Sequence, residues 1–141
     1  MNEWIAIAAE LFVAVAFGAM IFFAAVMAPL IFTKLEEETA GRFIREVFPR
    51  YYAFLAILCG IAAPCLASTA PVVAAVIATN AVCFLFARQW LMPRINDARD
   101  REKAGDQSAG PVFERGHRVS VFLNTAQLVT VLGSLISLLS A

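Results

Sequence analysis

Charge is missing from three long stretches of this chain, and that pattern constrains its fold more than any motif. Between Trp4 and Thr33 the one charged side chain is Glu10, while residues 51–87 and 119–141 carry none. A bilayer core takes roughly 20 helical residues, so the first and last stretches each span once. The middle stretch is too long for one crossing. It is interrupted at "PCLASTAP", residues 64–71, where Pro, Ser and Thr mark a tight turn. Composition agrees, with 61% hydrophobic and 16% charged residues, against about a quarter charged in soluble domains.

The expected architecture is an all-α integral membrane protein, a single four-helix membrane domain over residues 1–141. Its spans are expected near 4–32, 50–67, 71–92 and 117–140. The first is longer than a perpendicular crossing needs and should tilt or project, with Pro29 placed to kink it. Its start, "MNEWIAIAAE", has no Lys or Arg and runs past the apolar core of a signal peptide, so it reads as a true span.

Basic residues orient the bundle. Lys34, Arg42, Arg45 and Arg50 lie in the first loop. Arg88, Arg94, Arg99, Arg101, Lys103, Arg115 and Arg118 lie in or beside the third, which accounts for all eleven Lys and Arg residues. By the positive-inside rule both charged loops are cytoplasmic and both termini face outward, as in a bacterial inner membrane. In the first loop, Ala40, Phe43, Ile44, Val47 and Phe48 recur at helical spacing. They predict a cytoplasmic, interfacial amphipathic helix over about 39–48, ending at Pro49 before Tyr51 and Tyr52 at headgroup level. Arg88, Arg94 and Arg118 read as further interface anchors, the alternative for Arg88 and Arg118 being a pair with Asp97 or Glu114. "NDARDREKAGDQSAGP" reads as a solvated extension of the third helix followed by a flexible link.

Polar side chains inside apolar spans are the functional candidates. On the fourth span His117, Ser120, Asn124, Gln127, Val131 and Ser134 fall on one stripe, alternately three or four residues apart. Lipid cannot hydrogen-bond such groups, so the stripe should face the bundle interior. Asn80 and Thr79 on the third span and Glu10 on the first add to the candidate polar pocket of Glu10, Asn80, His117, Ser120, Asn124 and Gln127. Two readings stay open: a pocket or route for a small solute or ion, or hydrogen-bonded glue between helices. Metal is a weaker option. Cys59, Cys65, Cys83, Met20, Met27 and His117 offer soft ligands, but without a C-x-x-C, a second histidine or a Met series. The cysteines lie in apolar runs, which argues against a disulfide framework.

Zero net charge and the lack of a long basic face give no reason to expect nucleic acid. G-x-S-x-G, H-E-x-x-H, P-loop and dinucleotide fingerprints are missing, so an enzyme is disfavoured. One histidine cannot supply bis-histidine haem ligation, though a single axial ligand remains open, and no cofactor is assigned.

Three blocks together carry a family resemblance. "AGRFIREVFPRYY", "ARQWLMPRINDARD" and "FERGHRVSVFLN" resemble the transmembrane protein 205-like family, whose bacterial members are grouped as domain of unknown function 4149. The shared elements are Gly41, Phe48, Pro49 and Tyr51; Asn80, Pro93 and Arg94; and His117, Ser120 and Asn124. The resemblance implies a small four-helix membrane protein and no settled activity. The chain is also loosely similar to four-helix proteins of the copper-resistance D type and a related haem-pathway oxidase. Those depend on histidines in several helices, and His117 stands alone here.

Three functions follow as expectations. The first is a bundle that binds or passes a small solute or ion through its polar interior. The second is an oligomeric scaffold without ligand, using close small residues such as Ala14 with Gly18 and Ala56 with Gly60. The third is a haem- or soft-metal-binding protein.

Overall fold

The computed structural model describes residues 3–140, which form four long helices joined by short turns. They are α1 (Glu3–Lys34), α2 (Glu37–Leu66), α3 (Pro71–Lys103) and α4 (Ala109–Leu139). All four are long and apolar enough to cross a membrane, and the described residues contain no strand. Each helix packs on the next in sequence and α4 closes onto α1, with α2 and α3 in the most extensive contact. The buried seam of α1 is Ala9, Val13, Ala16 and Met20, a spacing of four, three and four that keeps one face inward. Alanines recur at the contacts (Ala62 and Ala63 on α2, Ala74 and Ala81 on α3), which lets backbones approach where lipid supplies no hydrophobic driving force.

Two prolines shape the helices in the same way. Phe23–Met27 in α1 and Ala87–Leu91 in α3 are π-helical turns, each separated by one residue from a proline, Pro29 and Pro93. The N–H of Ala28 bonds to the carbonyl of Phe23, and that of Met92 to that of Ala87. A proline lacks the N–H that would continue the regular ladder, and its ring crowds the carbonyl four residues back. Widening the preceding turn removes that crowding. The kink expected at Pro29 therefore takes the form of a wide turn just ahead of it.

The separate amphipathic helix expected over 39–48 does not form. Those residues are the first half of α2, which runs unbroken through Pro49. Proline forfeits one ladder bond there, but tertiary contacts hold the two halves in line. Arg88 Nε of α3 donates to the Pro49 carbonyl at 3.0 Å. Arg45 grips Asp100 with two hydrogen bonds, of 2.9 and 2.5 Å. Arg99 joins Glu37 across the same interface. Ala40 is buried and Ile44 and Phe48 are partly so, which places the apolar face against the bundle.

The third loop is also tighter than a flexible link. Ser108 donates to Asp106 Oδ1 through both N–H and Oγ, while Arg101 donates to Oδ2. The Ser108 hydroxyl, then the Arg101 guanidinium, hold the Asp106 carboxyl below its ordinary range. Gly105, at φ +99°, supplies the left-handed residue that reverses the chain. Gly110 and Pro111 belong to the first turn of α4, where a proline costs no ladder bond.

Candidate functional site: a cavity at the charged end

Aromatic contacts fix which parts of the helices lie level with one another. Phe23 of α1 meets Phe48 and Tyr51 of α2, and Tyr52 stacks on Phe84 of α3. From Pro71 to Trp90, α3 climbs about 29 Å at 1.5 Å per residue, close to the ~30 Å of a hydrocarbon core. Trp90 stacks on Phe86 and carries the Arg94 guanidinium 3.7 Å above its ring, an exposed ladder suited to an interface. From about the level of Tyr51 upward, past Trp90, all four helices continue, and between them lies a cavity of about 750 Å³.

The walls of this cavity differ in chemistry. Met20, Phe23, Ala28 and Ile31 of α1 form an apolar side, and α4 presents His117, Ser120, Asn124 and Thr125 among the apolar Phe113, Val121 and Leu128. Tyr51 and Phe48 of α2 stand at its floor, and Met92 and Ile95 of α3 close the back. At the rim are Arg42, Arg45, Arg99, Lys103, Glu37, Glu38 and Asp100. The α4 wall is held close to α3 because position 116 is glycine: a Cβ there would lie 2.8 Å from Cγ1 of Ile95.

Of the six pocket residues expected from sequence, His117, Ser120 and Asn124 line this cavity together. The exposed His117 ring stacks on Phe113, and Ser120 Oγ donates to the His117 carbonyl at 2.8 Å. Asn124 Nδ2 donates to the Ser120 carbonyl and to the Tyr52 hydroxyl, both at 2.8 Å. Because a carbonyl only accepts, this bond fixes the orientation of the amide.

Asn80 and Gln127 sit deeper, in a separate buried cluster. Gln127 Nε2 donates to the Asn80 carbonyl at 3.4 Å, and Asn80 Nδ2 reaches Thr130 Oγ1 at 3.1 Å. Gln127 Oε1 is buried without a partner among the described residues. Thr130, absent from the expected set, completes this α3–α4 link; its position six residues after Asn124 puts it off the polar stripe. Glu10 is half-buried near the other end of α1 and does not line the cavity.

The expected anchors divide. Arg94 has its interfacial ladder, and Arg118 is exposed. Arg88 instead clasps α2 through the Pro49 carbonyl, with neither Asp97 nor Glu114 as partner. Tyr52 is not at the headgroups: it is 0% exposed in the core. Tyr51 is half-buried on the cavity floor. Continuity of α2 through Pro49 explains both, since it turns the tyrosine pair into the bundle. Cys59 is buried and Cys65 and Cys83 are partly so, all three as free thiols. Among the described residues no three His, Cys, Asp or Glu side chains gather as metal ligands. Met20 lines the cavity and Met27 lies in the π-helical turn.

A family model described as "Domain of unknown function (DUF4149)" matches residues 11–104. The chain belongs to the DUF4149 family. No curated protein and no solved structure matches it. The DUF4149 match covers most of α1 and all of α2 and α3, and therefore three of the four cavity walls. It ends before α4, which brings His117, Ser120 and Asn124.

Proposed function

We propose that this DUF4149 protein binds a small amphiphilic molecule in the cavity at the charged end of its bundle. One observation carries this reading: an apolar α1 wall faces an α4 wall bearing His117, Ser120 and Asn124 across about 750 Å³. That volume lies within the ~300–1,000 Å³ of small-molecule sites. Binding is favoured over passage through the bundle because the core below the cavity is filled. Tyr52, Ile77, Phe84 and Val131 occupy it, all 0% exposed.

Native mass spectrometry of the protein in lipid nanodiscs tests this. A stoichiometric bound mass is expected in the wild type and should be reduced in Ser120→Phe, which crowds the polar side chains of α4. A wild type carrying no mass beyond bulk lipid sinks the reading.

The wider kinship with the transmembrane protein 205-like family and a bacterial inner-membrane location belong to the same reading. The basic residues support a cytoplasmic charged end, with both termini outward. A membrane-impermeant maleimide that labels Lys103→Cys in intact cells would contradict that orientation.

A further inference from the structure

Resting on that reading, the hydrogen bonds and charges around the cavity define the class of ligand. We infer that the occupant is a neutral amphiphile, a long apolar molecule bearing a hydroxyl or carbonyl group, which enters from the bilayer between α1 and α4.

The charges argue first. Arg45 is paired with Asp100, and Arg99 with Glu37 and Glu102. Arg42 and Glu38, of opposite sign, stand four residues apart on α2, where side chains are neighbours. With Glu102 counted, these four basic and four acidic side chains, Lys103 among them, sum to zero, and Arg42 and Lys103 are in no salt bridge among the described residues. An ionic ligand of either sign therefore meets no net complementary charge there.

Neutral groups are what remain available within. The Tyr51 hydroxyl makes no hydrogen bond among the described residues, although its ring is fixed against Phe23 and Phe48. Asn124 spends its Nδ2 on Tyr52 and Ser120, and its Oδ1 accepts no hydrogen bond among the described residues. One donor-acceptor hydroxyl and one amide carbonyl, on an otherwise apolar floor, match an alcohol or a carbonyl compound.

The route follows from what joins the helices. Ion pairs tie α2 to α3, whereas no hydrogen bond or ion pair joins α1 to α4 among the described residues. Past the π-helical turn, Ala28–Lys34 packs on α2. Phe32 of α1 and Val121 of α4 both line the cavity and are 64% and 52% exposed. The gap between them has apolar lips.

Photo-crosslinking of the full chain in nanodiscs tests this with three diazirine probes of equal chain length: a long-chain alcohol, carboxylate and trimethylammonium. The alcohol should label 24–32 of α1 and 117–125 of α4, saturably, and at least about tenfold more than either charged probe. Tyr51→Phe should lower its apparent affinity about three- to tenfold, the range for one neutral hydrogen bond. Equal or stronger cavity labelling by a charged probe overturns the neutral class while leaving cavity binding intact. Absence of saturable cavity labelling by all three overturns cavity binding itself. The wild-type probe ratio decides the class even if Tyr51→Phe fails to fold.

Discussion

Tyr52 and Asn124 lie on α2 and α4, helices that share no extensive packing, yet their side chains meet at 2.8 Å across the core. This bond sets the depth of the cavity floor, because Asn124 faces the cavity while Tyr52 fills the core beneath it. A double-mutant cycle with Tyr52→Phe and Asn124→Leu should give a coupling of about 0.6 kcal/mol, the average for such bonds in a membrane, and below about 2. Reversible unfolding in mixed micelles would measure it, and additive effects would mean that the two side chains act independently. Neighbouring residues show why the site was only half legible in the sequence. Spacing alone put His117, Ser120 and Asn124 on one stripe, and the cavity lies along it. The same stripe continues to Gln127, but there the helices close and the side chain turns from lining a space to bonding Asn80. Periodicity reports which face of a helix is polar; it carries no information about where two helices part. Thr130 is missing from the expected set, and Tyr52 is expected at the headgroups rather than in the core, because their polar atoms act through partners far away in sequence.

At the level of elements, the span count was readable because charge exclusion from lipid is a one-dimensional signal. Helix ends were less so: α2 begins at Glu37 and α4 at Ala109, each well ahead of the apolar run it contains. Both extensions are stabilised by contacts that composition does not reveal, such as Arg45 with Asp100 and the Asp106 turn. The π-helical turns carry a sharper consequence. Each holds one residue more than a regular turn, so removing that residue should restore an α-helix while keeping both flanks in register. Deletion of Ala25, which is exposed within Phe23–Met27, should therefore leave the fold intact and shift Tm by only a few degrees. Deletion of Val15, exposed in the regular part of α1, should instead rotate Ala9 and Val13 about 100° away from Ala16 and Met20 and abolish folded yield. Thermal unfolding in detergent separates the two, and equal damage from both deletions would deny the turn its role as a spare residue.

Over the whole molecule, the polar contacts are distributed unevenly around the bundle. At the charged end α2 and α3 are bound by two ion-paired arginines and the Arg88 clasp, whereas α1 brings no polar link to any neighbour among the described residues. Association of α1 there depends on van der Waals contact of Ile31 and the Phe23 ring with α2. Such contacts are individually weak, and no apolar driving force supplements them in lipid. Local opening should therefore be cheapest in the segment of α1 beyond its wide turn, the segment that forms one side of the cavity mouth. Hydrogen exchange in nanodiscs offers a controlled comparison, because Ala28–Lys34 and the stretch from Met92 to Ala98 both follow a π-helical turn at the same end. The α1 segment should exchange at least about tenfold faster, equivalent to ~1.4 kcal/mol less protection. Replacing Asp100 by Asn should narrow that difference by loosening α3 without changing α1. If Ala28–Lys34 proves as well protected as its counterpart, the cavity wall is rigid and ligand entry must occur over the charged rim.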